Sequence, residues 1–294
     1  MRPECPYCFT SDPESGYRSL VKKAGHFRRS SDSRKIQRFR CKKCQKNFSG
    51  ATFHCCFRQK KRQLNDRLRK LLCSGVSQRR AAKLLNLSRQ TIERKFLFLG
   101  SLAVKELETI NLNFPKSEIV EFDDLETFEH SKCKPLSVTL AVESPSRRIL
   151  GFEVSRMPAK GKLSKISLKK YGRRYDKRSE ARQRLFLKLK ALVHETAVFK
   201  SDQNPHYPLQ LKVIFPRSTH ETCKGQRGSI VGQGELKKIR FDPIFCLNHT
   251  CAMLRANMNR LFRRTWCTTK LPERLNLHLA MYAVFHNKTL LNTS

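Results

Sequence analysis

Two short apolar runs of β type each give out at an aspartate, and no other feature narrows the choice of fold as far. Ile119-Val-Glu-Phe runs into Asp123, and Ala197-Val-Phe-Lys-Ser runs into Asp202. In a chain with 61 Lys and Arg, carboxylates are readily absorbed as ion-pair partners. They gain nothing from standing where hydrophobic strands stop unless the two strands lie side by side and the acids meet. Paired carboxylates are hard oxygen ligands that select Mg²⁺ or Mn²⁺, and such ions promote in-line displacement at phosphodiesters. The plainer reading makes each acid a strand-end cap or a partner of nearby cations.

The formal net charge is +37 over 294 residues. A compact state with that charge repels itself unless a polyanion neutralises it, so nucleic acid is the expected partner. Basic residues run through the whole chain instead of forming one juxtamembrane cluster, which argues against a membrane surface. No stretch approaches spanning length and the N-terminus has no apolar signal region, so the expected location is cytoplasmic, in contact with a bacterial nucleoid. Twelve cysteines in a chain of this length are too dilute for a disulfide scaffold.

Four of those cysteines form two C-x-x-C pairs, Cys5/Cys8 and Cys41/Cys44. Thiolates at that spacing grip one tetrahedral ion, and Zn²⁺ would supply folding energy that a short polar segment lacks. A basic stretch, 26–38, is expected to bulge from the loop between the pairs. Nothing in the spacing of His54, Cys55 and Cys56 recommends them as ligands. Residues 1–58 are therefore read as a zinc ribbon.

Residues 59–112 carry helical periodicity. Leu64, Leu68, Leu71 and Leu72 repeat at helix spacing, Ser77 can cap a second helix and Ser88 a third, and a further helix is expected around Leu102–Ile110. The stretch from Ser77 to Lys95 reads as a helix-turn-helix, with Arg89, Gln90, Thr91 and Arg94 at the start of the reading helix, suited to base edges and phosphates. A helical hairpin used only for packing is the alternative. After a linker at 111–117, residues 113–294 form the third domain. Strands are expected at Ile119–Phe122, Leu136–Val142 and Ile149–Val154, with a turn at Ser144–Ser146. A loop follows over 160–178, then a helix to His194, strands at Ala197–Lys200 and Leu211–Phe215, and a long loop over 218–234. A helix opening at Pro243 carries the stripe Leu247, Cys251, Leu254, Met258 and Leu261, and a last helix covers Pro272–Phe285.

On these residues the chain resembles insertion-sequence transposases of the DDE type, which carry a zinc ribbon and a helix-turn-helix ahead of a ribonuclease-H-like α/β core. The stretch from Glu121 to Phe128 is similar to the family's Asp-Glu-x-Trp-x-Phe around its first acid, with Asp124 in place of Glu and Glu126 in place of Trp. The stretch from Phe199 to Asp202 matches the second acid, and that from Met253 to Lys270 the basic helix and tail after the third. The resemblance implies a mixed sheet that brings Asp123 and Asp202 together on Mg²⁺ or Mn²⁺. It also implies double-stranded DNA as the partner, with cleavage and strand transfer of insertion-sequence ends into target DNA, and a homodimer that pairs two ends. No Glu stands where the third acid belongs. His249 is the expected replacement, with Asn248, Asp242 and Glu235 open as alternatives. Arg255, Arg260, Arg263 and Arg264 would hold phosphates, while Trp266 and Phe262 either stack on a base or pack, packing being the favoured reading. A zinc-ribbon regulator that binds DNA without cutting it is the alternative function.

Overall fold

The computed structural model describes residues 3–8, 20–30, 33–224, 242–262 and 265–291. The chain divides into two units, 1–65 and 66–294. In the first unit, β1 (Val21–Arg28), β2 (Lys35–Cys41) and β3 (Asn47–Ser49) form an antiparallel sheet in that order. Within the 26–38 stretch, expected to bulge out, the described residues are instead the end of β1 and the start of β2, with the Arg29 amide donating to the Arg34 carbonyl at 2.9 Å. A break in register between Lys23 and His26, where Gly25 takes a φ of 75°, lets the hairpin twist. The buried apolar cluster is Cys5, Cys8, Val21, Cys41 and Phe48, so cysteines make up most of this core.

The second unit begins with α1 (Asn65–Leu72), α2 (Gln78–Leu84) and α3 (Arg89–Leu112). Both predicted caps form. The Ser77 hydroxyl accepts from the Arg80 amide and that of Ser88 from the Thr91 amide, each at 3.2 Å. The third and fourth predicted helices are one helix of 24 residues. Gly100 does not interrupt it. A Cβ there would meet the Cβ of Leu277 at 2.6 Å, so this glycine lets α3 lie close against α8 (Pro272–Leu291). Asn111, expected in the linker, is buried in the last turn of α3 and donates to the carbonyls of Ile149 and Leu150.

A five-stranded mixed sheet follows, in the order β6 (Ile149–Arg156), β5 (Pro135–Glu143), β4 (Ser117–Phe128), β7 (Val193–Ser201), β8 (Thr219–Thr222). β5 is antiparallel to both β4 and β6, while β4, β7 and β8 run parallel. Two elements differ from expectation. The 160–178 stretch holds α4 (Leu163–Tyr171), which ends at Gly172 with φ 71°. Leu211–Phe215, expected as the last strand, belongs to α6 (Tyr207–Ile214), where Pro208 sits in the first turn and Tyr207, Leu211 and Ile214 form a buried stripe of helical period. The fifth strand is instead Thr219–Thr222, within the stretch expected as a loop.

The sheet is covered on both faces. Leu125, Leu136, Val138, Leu140 and Val142 share a core with α1–α3, α7 (Phe245–Asn257) and α8. Val120, Phe122 and Ala141 pack with α5 (Arg178–Leu189) and α6. The predicted stripe of α7 is shorter than expected, because Met258 is already extended backbone and Leu261 lies beyond the helix. No helix among the described residues is long and apolar enough to cross a membrane.

Candidate functional site

Alternation along β4 places Glu121, Asp123 and Leu125 toward α7, and Phe122 and Asp124 toward α5. On the parallel side, Glu121 pairs with Lys200 of β7. Two more residues along each chain carry Asp123 to the level of Asp202, on neighbouring strands about 4.8 Å apart. The electrostatics agree: burial, and then the charge of Asp202, push the Asp123 carboxyl up to about 6. One oxygen of Asp123 is committed, since Oδ1 accepts from the Asp124 amide at 2.6 Å and from the Tyr207 hydroxyl at 3.1 Å. No described residue donates to Oδ2. Asp202 caps its own loop by accepting from the Asn204 amide at 3.1 Å. Asp124 takes no part in this pair. Its carboxylate accepts from Thr139 at 2.5 Å and pairs with the buried Arg182 at 3.1 Å, so it is neutralised within the α5 face.

α7 is fixed to the same strand, for the Leu247 amide in its first turn donates to the buried Glu121 carboxylate at 2.8 Å. Cys251, one turn further, lies within electrostatic reach of Asp123, and its thiol is pushed up to about 12 by burial. At 100° per residue, Asn248 and Arg255 fall within about 60° of Cys251 on the helix, whereas His249 falls about 160° away. His249 accordingly meets other partners. Its ring lies 5.6 Å from that of Phe245, and Arg147 in the β5–β6 turn approaches both ring nitrogens at 3.4 and 3.5 Å. Burial and the Arg147 charge hold its pKa below the ordinary histidine value.

Among the described residues, no three candidate ligand atoms within 4.8 Å of one another include Asp123, Asp202 or His249. Asn248 donates its amide nitrogen to Asp242 at 2.8 Å, which leaves its carbonyl oxygen unengaged among the described residues. Glu235, Arg263 and Arg264 lie outside the described residues.

The four cysteines of the two C-x-x-C pairs do converge, with all ligand atoms within 4.8 Å. Cys5 and Cys44 sulfurs are 3.7 Å apart, those of Cys8 and Cys41 3.9 Å. A tetrahedron with metal–sulfur bonds of about 2.3 Å has edges of about 3.8 Å, so the cage has the size zinc requires. Burial alone would raise Cys41, but the amides of Cys44 and Lys43 point at its sulfur and bring it down to about 7. This buried group of four thiols could hold a metal such as zinc. His54, Cys55 and Cys56 also gather within 4.8 Å, a second group that spacing alone does not recommend.

On α3, Arg89, Gln90 and Arg94 are exposed, while the Thr91 hydroxyl is occupied by Ser88 at 2.9 Å. Arg255 lies within electrostatic reach of Cys251, and Arg260 lies over the Phe96 ring at 5.4 Å. Sequence reasoning misses Tyr207 because its run reads as the approach to a strand. It passes over Glu121 because an acid beside a presumed metal ligand gives no sign of capping a helix 126 residues away.

No protein-family model matches the chain, and no curated protein matches it. Among solved structures, a crystal structure of the Mos1 strand transfer complex is similar over 76% of this chain and 77% of that one, at 10% identity and a TM-score of 0.25. At that score the likeness carries no argument about fold or chemistry.

Proposed function

We propose that this chain is a DNA transposase whose second unit has a ribonuclease-H-like fold and whose Asp123 and Asp202 hold Mg²⁺ or Mn²⁺. The observation that carries the reading is the register of β4 and β7, which sets two acids 79 residues apart in sequence on adjacent parallel strands, with one oxygen of Asp123 left open. The strand order, with its antiparallel second strand and helices on both faces, is the arrangement that the sequence resemblance implies. A divalent ion at this pair would polarise a scissile phosphate and lower the pKa of bound water. The chain's own residues have separate tasks. Tyr207 and the Asp124 amide orient Asp123, Glu121 accepts from the first turn of α7, and Arg255 of that helix would supply a cation for a phosphate.

For the third ligand we favour Asn248 over His249, because it lies one helical turn from Cys251, which is within electrostatic reach of Asp123, and its amide nitrogen is held by Asp242, whereas the His249 ring meets Arg147. Zinc in the four-cysteine cage would fold the first unit. The exposed Arg89, Gln90 and Arg94 of α3 would read insertion-sequence ends, and pairing of two ends would suit a homodimer.

The test is nicking of a supercoiled plasmid carrying the DNA that flanks the coding region, with Mn²⁺ present. Activity should disappear in Asp123→Asn and Asp202→Asn with DNA binding retained. It should fall at least tenfold in Asn248→Ala and hold within about twofold in His249→Ala. One observation favours the second reading, a DNA-binding protein without catalysis: α7 carries no carboxylate anywhere along Phe245–Asn257. Binding without nicking under Mg²⁺ or Mn²⁺ would decide for it.

A further inference from the structure

A cavity of about 300 Å³ opens beside the first turn of α3, lined among others by Arg79, Arg89, Arg260, Trp266, Lys270 and His278. Four of these are cations, and none of the lining residues is an acid. Arg260 is the informative one. Its guanidinium is largely buried, and burial together with neighbouring Arg274 pulls its pKa down to about 10. Among the described residues its partner is the Phe96 ring, and no carboxylate or carbonyl accepts from it. A buried cation without an acceptor is costly in free energy and calls for an anion.

His278 adds a second unfilled group. Its Nε2 lies 3.0 Å from the Leu72 carbonyl, so the ring proton sits there and Nδ1 is a bare acceptor. That Nδ1 is buried with no partner among the described residues, and burial holds the ring neutral by pushing its pKa down to about 3. A bare imidazole nitrogen repels phosphate oxygen, so an anion belongs at Arg260. Sequence alone favours Trp266 as a packing residue, but the structure leaves it 100% exposed at this cavity. An indole kept wholly in solvent beside a cationic pocket is a stacking surface for a base.

We propose that this pocket takes one unpaired nucleotide of a DNA strand, its phosphate on Arg260 with help from Arg79 and Arg89, its base against the face of Trp266. The proposal rests on the reading that DNA is the partner, and it is independent of the carboxylate pair. It differs from the groove contacts of Arg89 and Gln90 because a pocket with a stacking wall selects an unstacked nucleotide, not a duplex edge.

Trp266 is the only tryptophan in the chain, so intrinsic emission reports on this pocket alone. Full-length protein is titrated with inorganic phosphate, a mononucleotide, a blunt duplex and the same duplex with a short single-stranded overhang, while anisotropy of a labelled duplex follows overall binding. The overhang should quench emission saturably, the blunt duplex should quench it far less, and phosphate should compete without quenching. Arg260→Gln should weaken the quenching at least tenfold. Because that side chain is largely buried, the exposed pair Arg79→Gln with Arg89→Gln supplies a second arm, expected to weaken quenching about threefold or more. Equal quenching by blunt and overhang duplexes, or quenching unchanged in both variants, would overturn the proposal. If anisotropy reports binding while emission stays flat, the pocket assignment falls and DNA remains the partner. If neither signal responds, both fall.

Discussion

The four-cysteine cage and the carboxylate pair proposed to hold a metal are prepared in opposite ways. The four-cysteine cage is closed: its sulfurs stand at the corners of one tetrahedron, and backbone amides already favour a thiolate at Cys41. The carboxylate pair is open. Two acids are brought level by strand register, one oxygen is held by Tyr207 and a backbone amide, and the opposing helix brings no third acid. A closed set of ligands is what folding requires, and an open one is what a substrate requires. The contrast extends to packing. Three of the five residues in the buried cluster of the first unit are cysteines, whereas the second unit has an extensive aliphatic and aromatic core on both faces of its sheet.

The strongest way to break this comparison is to remove metal from the head. Chelation, or Cys41→Ser, should unfold the first unit outright, since structural zinc supplies on the order of 10 kcal/mol to such modules. The second unit should keep its thermal transition, and amide NMR spectra of the full chain separate the two outcomes. A head that keeps its dispersed amide signals without metal would remove the contrast.

The next effect belongs to Asp123. Its folded pKa of about 6 lies above the usual carboxylate value of 3.8, so ionisation opposes folding. Stability of the metal-free protein should therefore decline as pH rises from about 4 to about 6 and level off above that, with an amplitude of roughly 3 kcal/mol. Asp123→Asn should abolish that slope and raise Tm at neutral pH. Mn²⁺ affinity should run the other way and fall about tenfold for each pH unit below 6, because the proton competes for the same oxygen. Denaturation curves and calorimetric titrations across pH 4 to 8 check both signs, and a flat stability profile would mean that neither burial nor the Asp202 charge raises the Asp123 carboxyl.

A smaller effect sharpens the packing side. Gly100→Ala should cost about 1–3 kcal/mol, since the added methyl meets Leu277 and α3 must move away from α8. Chemical denaturation measures it, and a neutral result would show that the two helices are not tightly apposed there.

Much of this architecture is legible in the sequence wherever local pattern and tertiary demand coincide. Ser77 and Ser88 announce helices that begin one residue later, and the apolar run around Val138 and Leu140 announces a strand buried on both sides. The approach of Asp123 to Asp202 follows from two apolar runs. Failures occur where one pattern serves two structures. Leu211–Phe215 is a short apolar run that suits strand or helix, and only Tyr207 at one helical turn before Leu211 reveals the stripe. β8 is mostly polar because it lies at the sheet edge, so it carries no hydrophobic signal. His249 is favoured by its chemistry, while its neighbours in the structure, the Phe245 ring and Arg147 of the β5–β6 turn, are contacts that no local pattern announces.

The 24-residue α3 spans about 36 Å from its capped first turn to Asn111. At the far end, Asn111 and Asn287 hold the Ile149 carbonyl, and Arg148 pairs with Glu143 at 2.6 Å beside it. The unit therefore contains a stiff lever, with the exposed Arg89 and Gln90 at one tip and the outer strands of the sheet bolted to the other. Were a duplex to seat on Arg89 as proposed, a tilt of α3 would act first on the Ile149 end of β6 and on β5, which pairs along its whole length with β4.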